Sequence, residues 1–481
     1  MGPEQPKDSN NSELNISRGW RTVDEEIGAL NEFFSGKSVD FYARYGNAGL
    51  SEKEEEMAGR LGVDKTLLYN SGMSAITSVL ENLKLASGDV LLYSPYVYGQ
   101  TKTYIENLRN LGIKCISVDP GDTAGVQEAI EQHCPRALFF ETTGNDPKMP
   151  VLDTSLLYRL VEEKNKKYQP KTLSEAFQER FMRIPWIRGW VAAQAKEPGK
   201  TEEGALSALV EVFERARTRI AADKSIAGIK GLVDDLRKMG LSNSIYRAEL
   251  SELIMIIQRA WDTSRQKSLT IILDNTISTE SVKDMGSELK SIPKDVPVIV
   301  VESGTKFMAQ DQVSLGVVYS NKSEIMQELE TWRAVDGGYL PPSAAERLPD
   351  LSKEEFDKRN RNIISNAKRL AEAFAKVAGK EDILSVSHPN LPGHRNYDYV
   401  SKNMPNGSVA VFYVECAKPA VEVCHKLEQI GLAGLVEYGG SFAFEKTRLG
   451  VFDPKGNGLR IAGGNEGPED IEKICRIIES L

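Results

Sequence analysis

The chain is short of the residues on which several chemistries depend. Four histidines occur in 481 residues, at 133, 388, 394 and 425, and none is spaced from other polar residues in the manner of a catalytic triad or a metal site. Cysteine is nearly as rare. Cys115, Cys134, Cys416, Cys424 and Cys475 are scattered through apolar segments without CxxC spacing, which argues against a disulfide scaffold and against zinc or any other metal centre. They read as thiols in a reducing compartment, so a cytoplasmic location is expected. No window approaches the roughly 18 consecutive apolar residues of a membrane span. The polar start MGPEQPKDSNNSELNISRGW lacks the apolar core of a signal peptide, so neither export nor a membrane partner is expected. Basic residues are not in excess: 60 Lys plus Arg against 69 Asp plus Glu leave a net charge of −9, which argues against nucleic acid as a partner.

Apolar residues, by contrast, make up 41% of the chain and suffice for a large core. From about residue 50, helix-like stretches (SEKEEEMAGRLGV, MSAITSVLENLKL, QTKTYIENLRNLG) alternate with short apolar runs (DVLLYSP, IKCISVDP, ALFFET, LTIILDNT, VPVIVVES, LGVVYS). Strands this apolar, separated by helices, predict a parallel or mostly parallel sheet buried on both faces. Between ALFFET and LTIILDNT the strand pattern stops for roughly 100 residues, too long for an ordinary connection. There SALVEVFERARTRIAADKSIAGIKGLVDDLRKM and SIYRAELSELIMIIQRAWDT carry apolar residues at helical spacing. The expected organisation is an N-terminal arm over 1–45 and a large domain over 46–335, interrupted by a helical insertion over 165–268. A smaller C-terminal α+β domain follows over 336–481. The insertion reads as a packing or oligomer-contact element, or as a separate binding module.

The chemistry gathers where the apolar runs end. Asp274 closes the run Ile271-Ile272-Leu273, and Ser303, Thr305 and Lys306 follow Val300-Val301-Glu302. In open α/β sheets that edge is where ligands bind. A lysine leaving a buried strand is desolvated, which disfavours its ammonium form and suits it to Schiff-base formation. An aspartate facing a pyridine nitrogen keeps that nitrogen protonated and the ring an electron sink. Together they point to pyridoxal 5'-phosphate.

Ser303-Gly304-Thr305-Lys306 resembles the Ser-x-Thr-Lys motif of the cystathionine gamma-synthase (Cys/Met metabolism) family of fold-type I pyridoxal-phosphate enzymes. Five further segments agree in order: Tyr42-Ala43-Arg44-Tyr45-Gly46-Asn47, Ser71-Gly72-Met73-Ser74-Ala75-Ile76, Tyr96-Val97-Tyr98-Gly99-Gln100-Thr101, Glu141-Thr142-Thr143-Gly144-Asn145-Asp146-Pro147 and Leu459-Arg460-Ile461-Ala462-Gly463-Gly464. The likeness runs from about residue 40 to the C-terminus, leaving out the insertion. It implies an aspartate aminotransferase-like α/β fold with a mostly parallel, seven-stranded-type sheet.

The same resemblance implies roles. Gly72 and Met73 open a helix whose free N–H groups favour a phosphate, with Ser303 and Thr305 adding hydroxyls. Tyr42 and Arg44 reach the phosphate of the neighbouring subunit's cofactor, making the active unit a homodimer or homotetramer with shared sites. Tyr98 stacks on the pyridine ring and moves protons, Asn145 bonds the ring's phenolic oxygen, and Arg460 clamps the substrate α-carboxylate. Lys306 holds the cofactor and shuttles protons, while Asp274 supports the ring nitrogen. The implied activity is γ-elimination or γ-replacement on a small γ-substituted α-amino acid: a homoserine ester, a cystathionine- or methionine-like thioether, or a γ-halo amino acid of secondary metabolism. A transaminase or a β-lyase would use the same lysine and aspartate, and a non-catalytic structural paralogue is a further alternative that the intact Lys306, Asp274 and Tyr98 argue against.

Departures from the family pattern lie near the pocket mouth. Asn47-Ala48-Gly49 replaces Asn-Pro-Thr, and Ala309-Gln310-Asp311-Gln312-Val313 replaces Gly-Gly-His-Ser-Asp. Gln100 stands where a small residue is usual, and Gly439-Gly440-Ser441 matches the family's Gly-Gly segment only loosely, leaving Ser441 without a role.

Overall fold

Seven short strands form one sheet: β1 (Leu67–Tyr69), β2 (Val90–Tyr93), β3 (Lys114–Ser117), β4 (Ala137–Glu141), β5 (Thr270–Asp274), β6 (Val298–Glu302) and β7 (Gly316–Ser320). The computed structural model describes residues 22–34, 48–85, 87–167, 185–223, 234–236, 238–239, 268–350, 352–451 and 456–481. The sheet order is β1-β7-β6-β5-β4-β2-β3, and only β7 runs against the others. Strands β2, β4, β5 and β6 are buried at every residue, as their unbroken apolar runs require for a sheet covered on both faces. The run at 114–117 is an edge strand, exposed at Lys114 and Ser117.

The first helices are α1 (Val23–Phe34), α2 (Ala48–Leu61), α3 (Gly72–Asn82), α4 (Gly99–Leu108), α5 (Thr123–His133) and α6 (Thr154–Lys167). The segment QTKTYIENLRNLG is α-helical only to Leu108. A 3-10 turn then carries it to Gly112, whose φ of 78° ends the helix in the left-handed region that glycine tolerates. Helix α3 is capped by Ser71, whose Oγ accepts from the Ser74 amide at 3.0 Å, and it buries Ala75, Ile76, Val79 and Leu80 against the sheet. Its entry strand β1 has three residues and is held by side chains as well as by β7: Glu54 accepts from the Leu68 amide at 2.8 Å, and Arg333, ion-paired with Glu54, donates to the Leu68 carbonyl at 2.8 Å. This fixes where the N-terminus of α3 meets the sheet.

A second sheet has the order β10-β11-β12-β9-β8, from β8 (Ile383–Ser387), β9 (Val411–Cys416), β10 (Glu437–Tyr438), β11 (Arg448–Val451) and β12 (Gly458–Ala462). It is antiparallel except for the β10–β11 pair. The helices Lys353–Val377 and Pro468–Glu479 pack on one another, and the first also covers β8 and β9. That first helix begins well before the apolar stretch NIISNAKRLAEAFAKVAG, because Ser352 and Glu355 form a reciprocal capping box.

Chain contacts divide the protein into two units, Met1–Glu163 with Leu269–Leu481, and Lys164–Ser268. In the second unit the helices Pro185–Gln194 and Glu202–Asp223 pack on each other, with Ile187, Val191, Leu209 and Phe213 buried. Among the described residues no helix is long and apolar enough to cross a membrane.

Candidate active site

Register places two carboxylates side by side at the C-terminal edge of the large sheet. Glu141 ends β4, Asp274 ends β5, and the two are paired across the ladder. Both are buried. Asp274 Oδ1 accepts from the Thr276 amide at 2.9 Å and from the Thr276 hydroxyl at 2.5 Å, and Thr276 Oγ1 in turn accepts from the Ser303 amide at 2.8 Å. The aspartate is thereby tied to the segment that carries Lys306. Burial raises the Asp274 pKa, the Thr276 bonds oppose that rise, and no cation neighbours it among the described residues. A buried carboxylate with donors but no counter-charge calls for a cationic ligand.

Glu141 opens one of the segments that resemble the family, but the sequence gives it no role. Its Oε1 accepts from the Tyr98 amide at 2.6 Å and its Oε2 from the Asn145 amide at 2.9 Å, so one carboxylate pins both loops that flank the site. Burial and the neighbouring Asp274 push its pKa well up, and the two amides and Arg460 work against that. The signal that marked Asp274, an acid closing an apolar run, was equally present in ALFFE.

Gly72, at the start of α3, faces Ser303. A Cβ at Gly72 would stand 2.9 Å from the Ser303 Cβ, so this approach of helix to loop admits only glycine. Ser71 takes the Ser74 amide, which leaves the amides of Gly72 and Met73 without partners among the described residues. The donors converging beside Ser303 fit a phosphate. The Thr305 hydroxyl donates to the Leu315 carbonyl at 3.2 Å and accepts from the Leu315 amide at 2.8 Å, closing the turn after β6. Met73 Sδ lies 3.6 Å from the Thr101 hydroxyl.

The Lys306 amine donates to Ser441 Oγ at 2.8 Å. Ser441, for which the sequence offered no role, thus meets the lysine, and its own hydroxyl stands 3.4 Å from Asp311 Oδ1. Burial holds the Lys306 pKa below the usual lysine range, Asp311 pulls it up, and Arg460 pushes it further down. Arg460 arrives from β12, opposite Tyr413 of β9. Its Nε is buried without a hydrogen-bond partner among the described residues, and burial lowers its pKa against the pull of Tyr413, Tyr98 and Glu141. Tyr413 donates to Asn145 Oδ1 at 3.1 Å, which joins the small sheet to the Asn145 loop. Tyr98, at the cap of α4, is 43% exposed. Tyr42 and Arg44 lie outside the described residues.

The structure thus brings Lys306, Asp274, Glu141, Tyr98, Asn145, Ser303, Gly72, Met73 and Arg460 to one edge of the large sheet. Among the described residues no cluster of His, Cys, Asp and Glu has the arrangement of a metal site.

The family model of the Cys/Met metabolism PLP-dependent enzymes matches residues 20–169 and 249–441. Cystathionine gamma-synthase 1 of Arabidopsis thaliana is 31% identical over 142 residues, 29% of this chain and 25% of that protein. Methionine gamma-lyase of the same plant is 31% identical over 141 residues, 29% of this chain and 30% of that protein. O-acetyl-L-homoserine sulfhydrylase of Corynebacterium glutamicum is 33% identical over 114 residues, 23% of this chain and 25% of that protein. Each match spans only about a quarter to a third of the relative's own length. Among solved structures, cystathionine gamma-synthase of Xanthomonas oryzae pv. oryzae in complex with cystathionine aligns with a TM-score of 0.59 at 17% identity, over 97% of this chain and 91% of that one. A putative O-acetylhomoserine (thiol)-lyase of Campylobacter jejuni, carrying N'-pyridoxyl-lysine-5'-monophosphate at position 205, aligns with a TM-score of 0.58 at 15% identity, over 98% and 94% of the two chains. At these identities the structures show a shared fold.

Proposed function

Because the chain belongs to the Cys/Met metabolism family of pyridoxal-phosphate-dependent enzymes, we propose that it carries out γ-elimination or γ-replacement on a γ-substituted α-amino acid. One observation carries the reading: a half-buried lysine amine, a buried aspartate lacking a counter-cation and an arginine whose buried Nε is unpaired gather at one edge of the large sheet. These are the three contacts that a pyridine cofactor and an amino-acid carboxylate would satisfy.

The residues fit the cofactor. The amides of Gly72 and Met73 with the Ser303 hydroxyl hold its phosphate, joined by Tyr42 and Arg44 from a neighbouring subunit in a dimer or tetramer. Asp274 takes the ring nitrogen, Tyr98 the ring face and Asn145 the phenolic oxygen. Bound there, pyridoxal phosphate supplies an electron sink for the electron pair left on carbon when a proton departs. Lys306 would be the attachment point, and its amine is placed to serve as the base for the substrate's α-proton. Burial lowers its pKa, the direction that favours the neutral amine able to accept that proton. Ser441 orients the amine. Arg460 holds the α-carboxylate, which fixes Cα beside Lys306, and the Tyr98 phenol donates to the departing γ-group. The thiols, four of them buried, support a reducing, cytoplasmic setting.

The test is product analysis. Purified protein incubated with O-acyl-homoserines, cystathionine, methionine and γ-halo amino acids is expected to release the γ-substituent, giving a keto acid and ammonia or a replacement product by mass spectrometry. Turnover that requires a keto-acid acceptor would make the protein a transaminase instead.

A further inference from the structure

A third acid closes a strand run at the same sheet edge, and no role has been assigned to it. Asp119 lies just beyond β3, and its carboxylate takes four donors. Oδ1 accepts from Arg395 Nη2 and from the Gly121 amide, each at 2.8 Å, and Oδ2 from Arg395 Nη1 at 2.8 Å and the Tyr96 hydroxyl at 3.1 Å. Burial alone would raise the Asp119 pKa, yet Arg395, the Gly121 amide and Tyr96 hold it below the usual carboxylate range. A Cβ at Gly121 would overlap the Arg395 guanidinium, which therefore rests where only glycine leaves room. Arg395 comes from the loop between β8 and the helix Tyr397–Asn403, in the part of the chain that bears the five-stranded sheet. Its neighbours reach the same way: His394 Nε2 lies 3.0 Å from the Lys148 carbonyl, and Asn396 Oδ1 accepts from the Val151 amide at 3.0 Å.

Tyr96 is where these contacts meet the site. Its phenol reaches Asp119, its carbonyl accepts from the Asn145 amide at 2.9 Å, and Lys148 Nζ lies 5.5 Å from its ring centroid. A Cβ at Gly144 would stand 3.0 Å from the Tyr96 Cβ, so the two loops approach closely. The amides of Tyr98 and Asn145 are bonded to Glu141. Two carboxylates thus hold these loops, Glu141 from the buried side and Asp119 from the exposed side. The Arg395 and Asp119 side chains keep 33% and 30% of their surface exposed, and pairs so exposed add little to stability. What a bidentate pair does supply is direction.

We propose that Arg395 and Asp119 are positioning residues that act through Tyr96 to hold the Tyr98 and Asn145 loops at the spacing cofactor and substrate need, an inference that rests on the roles given above to Tyr98 and Asn145.

The test has two arms. In the purified full-length protein, amide hydrogen exchange read by mass spectrometry follows the loops themselves. Arg395→Gln is expected to speed exchange at least about threefold in peptides covering 94–99 and 142–147 and to leave the β5 peptide covering 270–275 unchanged. Its thermal midpoint is expected within about 4 °C of wild type. Gly121→Ala, which removes no polar group but displaces the guanidinium, is expected to act in the same direction. The second arm measures steady-state release of the γ-substituent from whichever O-acyl-homoserine, thioether or γ-halo amino acid the wild type turns over. There Arg395→Gln is expected to lower kcat by about tenfold, because displaced reacting groups lose rate, and to keep KM within about threefold, because Arg460 is untouched. Arg395→Lys, which keeps the charge without the fork, is expected to fall between. Adding Arg395→Gln to Tyr96→Phe is expected to lower kcat by no more than about a further twofold, since both act on one path. Exchange that rises equally in all peptides, or in neither Arg395→Gln nor Gly121→Ala, would overturn the positioning role alone, as would additive losses in the double variant or an unchanged kcat. A wild type that releases the γ-substituent of no compound would overturn the γ-elimination or γ-replacement reading, and this inference with it.

Discussion

The half of the site on the seven-stranded sheet and the half on the five-stranded sheet are built in opposite ways. In the first, Glu141, Asp274, Ser303 and Lys306 sit at or just beyond the ends of adjacent parallel strands, and ladder register alone brings them together. In the second, Arg460, Tyr413, Ser441 and Phe442 come from two strands and a loop with positive φ at Ser441 and Ala443, and they meet the first half through side chains: Lys306 to Ser441, Tyr413 to Asn145 and Phe442 against Phe307. The first half supplies the groups that chemistry needs, whereas the second supplies Arg460 for recognition. Substitutions should separate along that line.

The largest effect is expected from Asp274→Asn, which keeps the shape but cannot hold a protonated ring nitrogen; kcat should fall by about 10²–10³-fold, the usual worth of one preorganised electrostatic group. Glu141→Gln leaves one acceptor for the two loops and should cost about tenfold. Steady-state kinetics on the two variants break the comparison if Glu141→Gln proves the more damaging. Tyr98→Phe keeps the stacking surface and removes the phenol, so it should lower kcat by about 10²-fold while KM changes little. Arg460→Lys, in the recognition half, keeps charge but loses the fork. It should raise KM by roughly ten- to a hundredfold and spare cofactor absorbance. Both effects appearing in kcat alone would erase the distinction.

A smaller recovery is expected from mixing. Lys306→Ala and Arg44→Ala chains, each inactive, should regain part of the wild-type rate when combined, since some hybrids hold one intact site. Full activity from a species that sediments as a monomer would end the shared-site model.

The sequence displayed the first half more openly than the second. Runs such as LTIILDNT and VPVIVVES announce buried strands, and an acid or lysine at their ends stands out against apolar surroundings. Strand β1 escaped notice because three residues carry no period and its partner β7 lies about 250 positions away. Strands β8, β10 and β11 are short and partly exposed, so they too lack a pattern. Phe442 sits in a Gly-Gly-Ser-Phe stretch that reads as a turn, and only the folded backbone turns its ring toward Lys306 and Arg460. Thr305 occupies the matching motif position, and its hydroxyl also closes the turn through the Leu315 amide and carbonyl, which the sequence does not display.

The smallest effects concern stability, and here the two halves should respond to pH with opposite sign in the cofactor-free protein. Beneath the large-sheet edge, burial pushes the pKa of Glu280 up to about 8, while Glu302 and the Tyr319 hydroxyl share its cavity. Between the ordinary glutamate range and about pH 8 the folded chain keeps a proton that the unfolded chain has released, so stability falls as pH rises, by at most roughly 1.4 kcal/mol per unit. In the small domain, burial, with His394 and Lys368 nearby, pushes His388 down to about 3. Between the ordinary histidine range and about pH 3 the unfolded chain binds a proton that the folded chain refuses, so stability falls as pH drops. Thermal midpoints from pH 5 to 8 should therefore rise relative to wild type at the alkaline end for Glu280→Gln and at the acid end for His388→Gln. Identical pH slopes in all three proteins would contradict both assignments.

The central claim, that Lys306 is the residue to which the cofactor is joined, is tested most directly by reducing the purified protein with borohydride and mapping its peptides by mass spectrometry. A pyridoxyl-phosphate mass is expected on the peptide containing Lys306 and is expected to be absent from the Lys306→Ala protein. The same mass on any other lysine, or an unmodified Lys306 in protein that has retained its yellow colour, would contradict it.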